Sequence, residues 1–219
     1  MKTLALIHTS PVLTPLFAGL ARQLLGDTRI FHMVDESLIA NTIRTGSLQK
    51  DTIRRLVNHV DSAGRAGADA VLVTCSSIGP AVNVARQMFD FPVLRIDEAM
   101  AERAVEAGSR IGVIATLNTT LDPTVSLIRE TAARMGRSVE VISHLCEGAF
   151  QAVISGDTAT HDRAVSEGLM KLAGEVDVIV LAQASMARVV DQFAAGQLKV
   201  PVLSSPTLAM ERARDVLAG

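Results

Sequence analysis

The chain has 219 residues, a formal net charge of −2 and 48% hydrophobic residues. This length suits one large or two small domains, and the apolar content is enough to bury a sizeable core. There is no basic footprint for nucleic acid and no apolar run of the about 18 residues that a membrane helix needs, so we expect neither partner. Only two cysteines, Cys75 and Cys146, are present, which favours a cytoplasmic protein over a disulfide-bonded secreted one. The composition leaves a homo-oligomer open.

Short apolar runs rich in β-branched residues alternate with helical patterns along the whole chain. The runs in the N-terminal half cover 3–7, 29–34, 70–74 and 93–96, and those in the C-terminal half cover 111–115, 139–143, 178–182 and 202–204. Between them, apolar residues recur three or four positions apart, for example over 13–25 and 50–66. Apolar strands joined by helices predict parallel sheets covered on both faces.

The two halves repeat each other. Segment 69–77 parallels 177–185, Pro-Val-Leu at 92–94 recurs at 201–203, and 1–9 parallels 110–117, all at nearly the same spacing. The alternative is two unrelated strand–helix series that look alike because all such series do.

We therefore predict an α/β fold of two pseudo-symmetric lobes, each a parallel four-stranded sheet flanked by helices. Lobe 1 covers 1–97, with the last helix, 207–219, packing back on it, and lobe 2 covers 98–206. The crevice between the carboxyl ends of the two sets of strands is the expected ligand site.

Polar residues directly follow several predicted strands, at 8–10, 75–77, 116–120 and 183–185. His144 and Glu147 follow another strand, and so do Ser204 and Ser205. Hydroxyl and amide groups beside helix amino termini suit a carboxylate, although serine and threonine are also common helix caps. The residues that we expect to bind substrate are His8, Ser10, Ser76, Ser77, Thr116, Asn118, Thr119 and Ser185.

The histidines give a weaker signal. His8 is a candidate acid–base group or hydrogen-bond donor, or else a satisfied structural residue. His32, His59 and His161 have no partner at a recognisable spacing. No His, Cys, Asp and Glu set has metal-ligand spacing, and no glycine-rich phosphate loop occurs, so we expect neither a metal nor a nucleotide cofactor.

Cys75 is the candidate catalytic thiol. It ends a strand and precedes Ser-Ser-Ile-Gly-Pro and a helical pattern. A helix amino terminus lowers the pKa of a thiol, and a thiolate can abstract a proton or attack carbon. The alternative is a small buried residue that closes a strand. We interpret Cys146 as structural.

These segments together resemble the aspartate/glutamate/hydantoin racemase superfamily. The resemblance rests on the duplicated halves, on Val-Thr-Cys-Ser-Ser at 73–77, on Gly-Val-Ile-Ala-Thr at 112–116 followed by Thr119, and on segment 178–187. In that superfamily two cysteines act on opposite faces of the carbon next to a carboxylate or carbonyl, and no cofactor is used. Cys75 matches the first cysteine, whereas Gln183 stands where the second motif, Gly-Cys-Ala-Gly-Met-Ala, has its cysteine.

An amide neither gives nor takes a proton at neutral pH, so ordinary two-thiol racemisation is doubtful for this chain. The resemblance implies a cofactor-independent racemase or isomerase acting on an amino acid, a hydantoin or a small organic acid, with Cys75 as base or nucleophile. Gln183 would then donate a hydrogen bond to a developing oxyanion. Two alternatives remain: a single-cysteine lyase or hydrolase on the same scaffold, and a non-catalytic protein that binds a small carboxylate.

Overall fold

The computed structural model describes residues 1–194 and 196–219. The chain divides into two compact units. The first unit comprises Met1–Glu98 and Pro206–Gly219, and the second comprises Ala99–Ser205.

The first unit is built on a parallel four-stranded sheet in the order β2-β1-β3-β4. Its strands are β1 (Thr3–His8), β2 (Arg29–Val34), β3 (Ala70–Val73) and β4 (Val93–Arg95). Its helices are α1 (Thr14–Leu24), α2 (Glu36–Thr45), α3 (Lys50–Arg65), α4 (Pro80–Ala85) and most of the C-terminal helix α10 (Ser205–Ala218).

Both faces of this sheet are buried, because successive residues of a strand point to opposite sides. Leu4 and Leu6 of β1 pack in one core cluster with residues of α1 and α10. Ala5 and Ile7 pack in a second cluster with residues of α2, α3 and α4. The fully apolar strands of the sequence are thus explained by helices on both sides of the sheet.

The second unit repeats this plan with a parallel sheet in the order β6-β5-β7-β8. Its strands are β5 (Arg110–Ala115), β6 (Glu140–Leu145), β7 (Val178–Leu181) and β8 (Val202–Ser204). Its helices are α5 (Glu98–Ala107), α6 (Asn118–Arg134), α7 (Ala149–Ile154), α8 (Thr158–Ala173) and α9 (Ala187–Val190). The strand order of the two units is the same, and the predicted fold class is confirmed.

One boundary of the sequence prediction is wrong. Strand β6 runs to Leu145, so His144 lies inside the strand instead of following it. Its ring packs on α8 at Gly168, where an added Cβ would lie 2.6 Å from the His144 Cδ2 atom. His144 is therefore a packing residue of the sheet face. Within the described part of the chain, no helix is both long and apolar enough to cross a membrane.

An aspartate just before the third strand of each unit binds the start of the central strand. The Asp69 Oδ2 atom accepts a hydrogen bond of 2.7 Å from the Thr3 N–H group. In the second unit, Asp177 Oδ2 accepts from the N–H groups of Arg110 at 2.8 Å and Ser109 at 3.0 Å. These bonds hold the pKa of Asp177 below its usual value, the Arg110 N–H group having the largest effect.

We expect Asp69→Ala to lower the free energy of unfolding by about 1–3 kcal/mol, because the half-buried Thr3 N–H group loses a charged acceptor. The exposed Asp27 is a matched control in the same unit, and Asp27→Ala should change stability by no more than about 0.5 kcal/mol. Urea unfolding measures both values. Equal losses in the two variants would contradict the role given to Asp69.

Candidate active site

The carboxyl end of the first sheet brings Thr9 and Cys75 together. Ile7 of β1 pairs with Val73 of β3, and the chain continues two residues further on each side to Thr9 and Cys75. Thr9 is buried and Cys75 is partly exposed. Side chains that are far apart in sequence thus become neighbours at one sheet edge.

Four hydrogen-bond donors face the Cys75 sulfur. They are the hydroxyls of Thr9 and Ser77 and the backbone N–H groups of Ser77 and Ile78. Three of them belong to a short 3₁₀ turn, Ser76–Ile78, which begins directly after Cys75. Burial raises the pKa of the Cys75 thiol above its ordinary value, and the four donors oppose that rise. The resting group is therefore a thiol, in surroundings that stabilise its anion.

His8 lies behind this edge in a chain of polar contacts. The Thr74 hydroxyl donates to the Ile7 carbonyl oxygen at 3.1 Å, so it must accept from His8 Nδ1 at 2.7 Å. His8 Nε2 is then an acceptor, and it receives a hydrogen bond of 2.8 Å from His32 Nδ1. Both nitrogens of the fully buried ring are occupied, which leaves none for a substrate in this arrangement.

Burial and the neighbouring His32 lower the pKa of His8 from 6.5 to about 4. The ring is therefore neutral at physiological pH. It orients Thr74, the residue before Cys75, and its own backbone leads into Thr9. The geometry makes His8 a positioning residue at this edge.

The histidines without a recognisable partner in the sequence have one in the structure. His32 bonds to His8, His59 Nε2 lies 2.8 Å from Asp35 Oδ2, and His161 Nδ1 lies 2.8 Å from Asp162 Oδ1. Strand pairing brings His32 to His8 and helix packing brings His59 to Asp35, which local spacing does not reveal, whereas Asp162 directly follows His161.

Asp35 also accepts from Arg55 and Ser37. Burial alone would raise the pKa of the Asp35 carboxyl, but these bonds and the one from His59 outweigh that effect and lower the pKa to about 2. The four residues join the start of α2 to α3. The sequence analysis missed this charged group beside the sheet edge.

In the second unit, the Gln183 side chain has a fixed orientation. Its Oε1 atom accepts hydrogen bonds from the Thr116 N–H group at 2.7 Å and from the Thr116 hydroxyl at 3.0 Å. The backbone donor requires an acceptor, so the assignment of oxygen and nitrogen in the amide is unambiguous. The Nε2 atom is left as a donor on a partly exposed side chain.

The two units use equivalent positions for these contacts. Thr9 directly follows β1 and bonds to Cys75, and Thr116 directly follows β5 and bonds to Gln183. Cys75 and Gln183 each directly precede a 3₁₀ turn. The same backbone geometry thus presents a thiol in one unit and an amide in the other.

The other predicted binding residues differ in accessibility. Ser76, Ser77 and Thr116 are buried, Ser10 and Thr119 are partly exposed, and Asn118 and Ser185 are exposed. Ser10 occupies a cap position but makes no capping bond with its side chain. The Thr119 Oγ1 atom is itself buried, and within the described residues it has no hydrogen-bond partner. It lies in the first turn of α6, whose cap residue Leu117 offers no side-chain oxygen.

Cys146 lies in the second core, where it is 3% exposed, and its sulfur is 3.5 Å from the Ala164 carbonyl oxygen. Burial raises the pKa of its thiol to about 11. This supports the structural interpretation of Cys146. Among the residues that the structure describes, no three His, Cys, Asp or Glu side chains are close enough to hold a metal ion.

Comparison with known families decides the identity of this arrangement. The family model described as Asp/Glu/hydantoin racemase matches residues 7–213. The chain belongs to the Asp/Glu/hydantoin racemase family. This confirms the resemblance seen in the sequence and the prediction of a racemase-type isomerase acting on amino acids or their derivatives. No curated protein sequence matches the chain.

Solved structures share the fold at low sequence identity. Allantoin racemase from Klebsiella pneumoniae is 18% identical with a TM-score of 0.70, over 100% of this chain and 88% of that one. Glutamate racemase RacE1 from Bacillus anthracis is 19% identical with a TM-score of 0.74, over 99% and 82%. Aspartate racemase from Picrophilus torridus is 14% identical with a TM-score of 0.69, over 98% and 95%. At these identities the likeness shows the fold alone.

The buried His8 ring should make this family member less stable in acid. Between the ordinary pKa of 6.5 and the folded-state pKa of about 4, the unfolded chain binds a proton that the folded chain does not. Stability should therefore be complete above about pH 6.5 and fall as the pH approaches 4, by up to ~3 kcal/mol. Urea unfolding at about pH 7.5 and about pH 4.5 measures this loss. His8→Gln should remove most of it, and an equal loss in that variant would refute the role of His8.

Proposed function

We propose that this protein is a cofactor-independent isomerase that acts at the carbon next to a carboxylate or carbonyl of a small substrate, with Cys75 as base or nucleophile. The substrate is an amino acid, a hydantoin or a small organic acid. The observation that carries the proposal is the position of Cys75 at the sheet edge, where strand pairing brings Thr9 beside it and the turn Ser76–Ile78 follows it, so that hydrogen-bond donors surround its sulfur. Such donors interact more strongly with a thiolate than with a neutral thiol, because sulfur in a neutral thiol is a weak hydrogen-bond acceptor.

The proton transfer proceeds on one face of the substrate. The Cys75 thiol first loses its proton to water. The resulting thiolate takes the proton from carbon, and the electron pair of the C–H bond moves into the carbonyl group to form an enolate. The thiol exchanges its proton with water and then returns a proton to carbon. Because Gln183 cannot act as a second acid, return to the same face predominates, and the isomer forms more slowly, when a water molecule protonates the opposite face of the enolate.

Gln183 acts on the same substrate as a hydrogen-bond donor. Thr116 holds its carbonyl oxygen, so the amide presents Nε2–H to the substrate oxygen on which negative charge develops. Donors of this kind contribute about 2–4 kcal/mol to transition-state stabilisation.

In this proposal, the carboxylate or carbonyl group of the substrate is bound by the polar residues that follow the strands, namely Ser10, Ser76, Ser77, Asn118, Thr119 and Ser185. The unpartnered Thr119 hydroxyl at the uncapped start of α6 supports this assignment most directly, since such a helix end attracts an anion. Thr116 and His8 take positioning roles, for Gln183 and for Thr74. A cytoplasmic location belongs to the same proposal, because two free cysteines suit a reducing compartment.

A lyase or hydrolase is the second candidate, and the outward Nε2 donor of Gln183 favours it, since such a donor also stabilises the oxyanion of bond cleavage. A cleavage reaction changes the substrate mass, whereas isomerisation conserves it. The pH dependence separates the proposed isomerase from a lyase in which the thiol acts as an acid. If thiolate is the active form, the rate rises with pH towards the raised pKa of Cys75, and if the thiol protonates a carbanion, the rate falls above that pKa.

Replacement of Cys75 tests the central assignment. We expect Cys75→Ala to abolish exchange of the substrate α-hydrogen in deuterated water while leaving the folded state intact. Cys75→Ser should be nearly as inactive, because a hydroxyl is a far weaker acid than a thiol. Proton NMR of a panel of amino acids, hydantoins and small dicarboxylates measures the exchange, and circular dichroism checks the fold. Full exchange in Cys75→Ala would eliminate the proposal.

Replacement of Gln183 tests the one-sided mechanism. Gln183→Ala should slow the reaction by roughly 10–1000-fold, because the developing oxyanion loses a donor. The wild-type protein should exchange deuterium with retention of configuration, and Gln183→Cys should couple exchange to inversion by supplying a second acid. Chiral chromatography of the exchanged product measures inversion. Rapid inversion of both enantiomers by the wild type would show that another residue is the second acid.

A further inference from the structure

A buried ion pair lies beside the turn that carries the Cys75 donors. Arg95, the last residue of β4, is 4% exposed and Asp97 is fully buried. Their side chains meet through two parallel contacts, Nε to Oδ1 at 3.0 Å and Nη2 to Oδ2 at 3.0 Å. Removing both charges from water is costly, and such a pair is retained more readily where it defines a particular geometry.

The Arg95 guanidinium occupies the space where Gly79 has no side chain. A Cβ atom built on Gly79 would lie 2.7 Å from Nη2, 2.8 Å from Nε and 2.9 Å from Cζ of Arg95. The Gly79 backbone has φ −50° and ψ −41°, which any residue adopts. Glycine is therefore needed here for space and not for backbone freedom.

Gly79 closes the turn that faces the thiol. Its N–H group donates to the Ser76 carbonyl oxygen at 3.0 Å. Between these two residues lie Ser77 and Ile78, whose N–H groups face the Cys75 sulfur. A displacement of Gly79 thus moves the donors of the thiol.

The second unit provides an internal comparison. In the strand register, Arg95 pairs with Val73, and Ser204 pairs with Leu181 at the equivalent place. In the turns, Gly79 lies four residues after Cys75, and Ala187 lies four residues after Gln183. The second unit therefore has Ser204 in place of Arg95, and Ala187, which has a Cβ atom, in place of Gly79. The space for a guanidinium is present only in the unit that has the thiol.

We propose that the Arg95–Asp97 ion pair positions Cys75, by holding Gly79 and with it the turn whose N–H groups face the sulfur. This inference deepens the proposed function and rests on it only for its relevance to catalysis. The contacts of the pair do not depend on any substrate. Arg86 and Glu98 form a second ion pair that interacts with Arg95 and Asp97. Other ionisable groups near this edge are Asp35, bound to Arg55 and His59, and the neutral His8 behind Thr74.

The pH dependence of Cys75 alkylation tests the proposal without a substrate. The full chain with Cys146→Ala leaves Cys75 as its single thiol, and mass spectrometry follows its reaction with iodoacetamide. We expect Gly79→Ala to raise the pH midpoint by about one unit, which slows alkylation about tenfold below the midpoint. Gly19→Ala in α1 is the matched control, because the nearest atom to its built Cβ is 3.9 Å away, and it should leave the midpoint unchanged.

A second comparison isolates the guanidinium. In a chain with Arg95→Ser and Asp97→Ser, the added Gly79→Ala should cause no further change of the midpoint, because the group that it displaces is absent. The proposal is overturned if Gly79→Ala leaves the midpoint unchanged in the wild-type background, if Gly19→Ala shifts it equally, or if Gly79→Ala shifts it equally in both backgrounds. Should the doubly substituted chain fail to fold, the comparison with Gly19→Ala decides alone. Full turnover by Cys75→Ala would instead refute the proposed function and leave this result standing.

Discussion

Parallel strand pairing decides where the candidate functional side chains of each unit lie. The register of β1 against β3 brings Thr9 beside Cys75, and the register of β5 against β7 brings Thr116 beside Gln183. The strands that do this are buried on both faces, so a shift of one residue would exchange the two core clusters and is strongly resisted. The hydrogen bonds at the sheet edges therefore depend on the packing of the whole unit.

The two units share a backbone plan but differ in the chemistry that they present. The thiol of Cys75 is surrounded by donors, whereas the amide of Gln183 accepts from Thr116 and offers a donor of its own. The support behind the turns differs too, with a guanidinium and glycine in one unit and serine and alanine in the other. The two halves thus differ at the positions of the candidate reactive groups, while the paired strands and the aspartates that bind their starts are retained.

The fold was predictable from the sequence because its signals are local or repeated. Apolar runs separated by helical patterns predicted the eight strands of residues 1–194 and 196–219 to within a few residues. The end of β6 was misjudged because its last residues, including His144, are polar or only partly buried. The positions of Cys75 and Gln183 at strand ends follow from the same pattern.

The environment of the site was less predictable, because it depends on contacts between distant residues. The bond from Thr116 that orients Gln183, and the pairing of His8 with His32, exist only once the strands are in register. Arg95 gave no signal in the sequence, since a charged residue at a strand end is usually solvated, and only the space at Gly79 explains its burial.

The donors around Cys75 and the Nε2 group of Gln183 share one physical property, which is that each interacts strongly only with a charge that is absent at rest. Neutral sulfur accepts hydrogen bonds weakly, and the raised pKa of Cys75 keeps it neutral. A carbonyl oxygen likewise accepts less strongly than the enolate oxygen formed from it. Interactions that strengthen as charge develops lower the barrier without stabilising the ground state equally. A thiol that is hard to ionise, in surroundings that favour its ion, is thus consistent with catalysis in which charge on sulfur and on substrate exists only briefly.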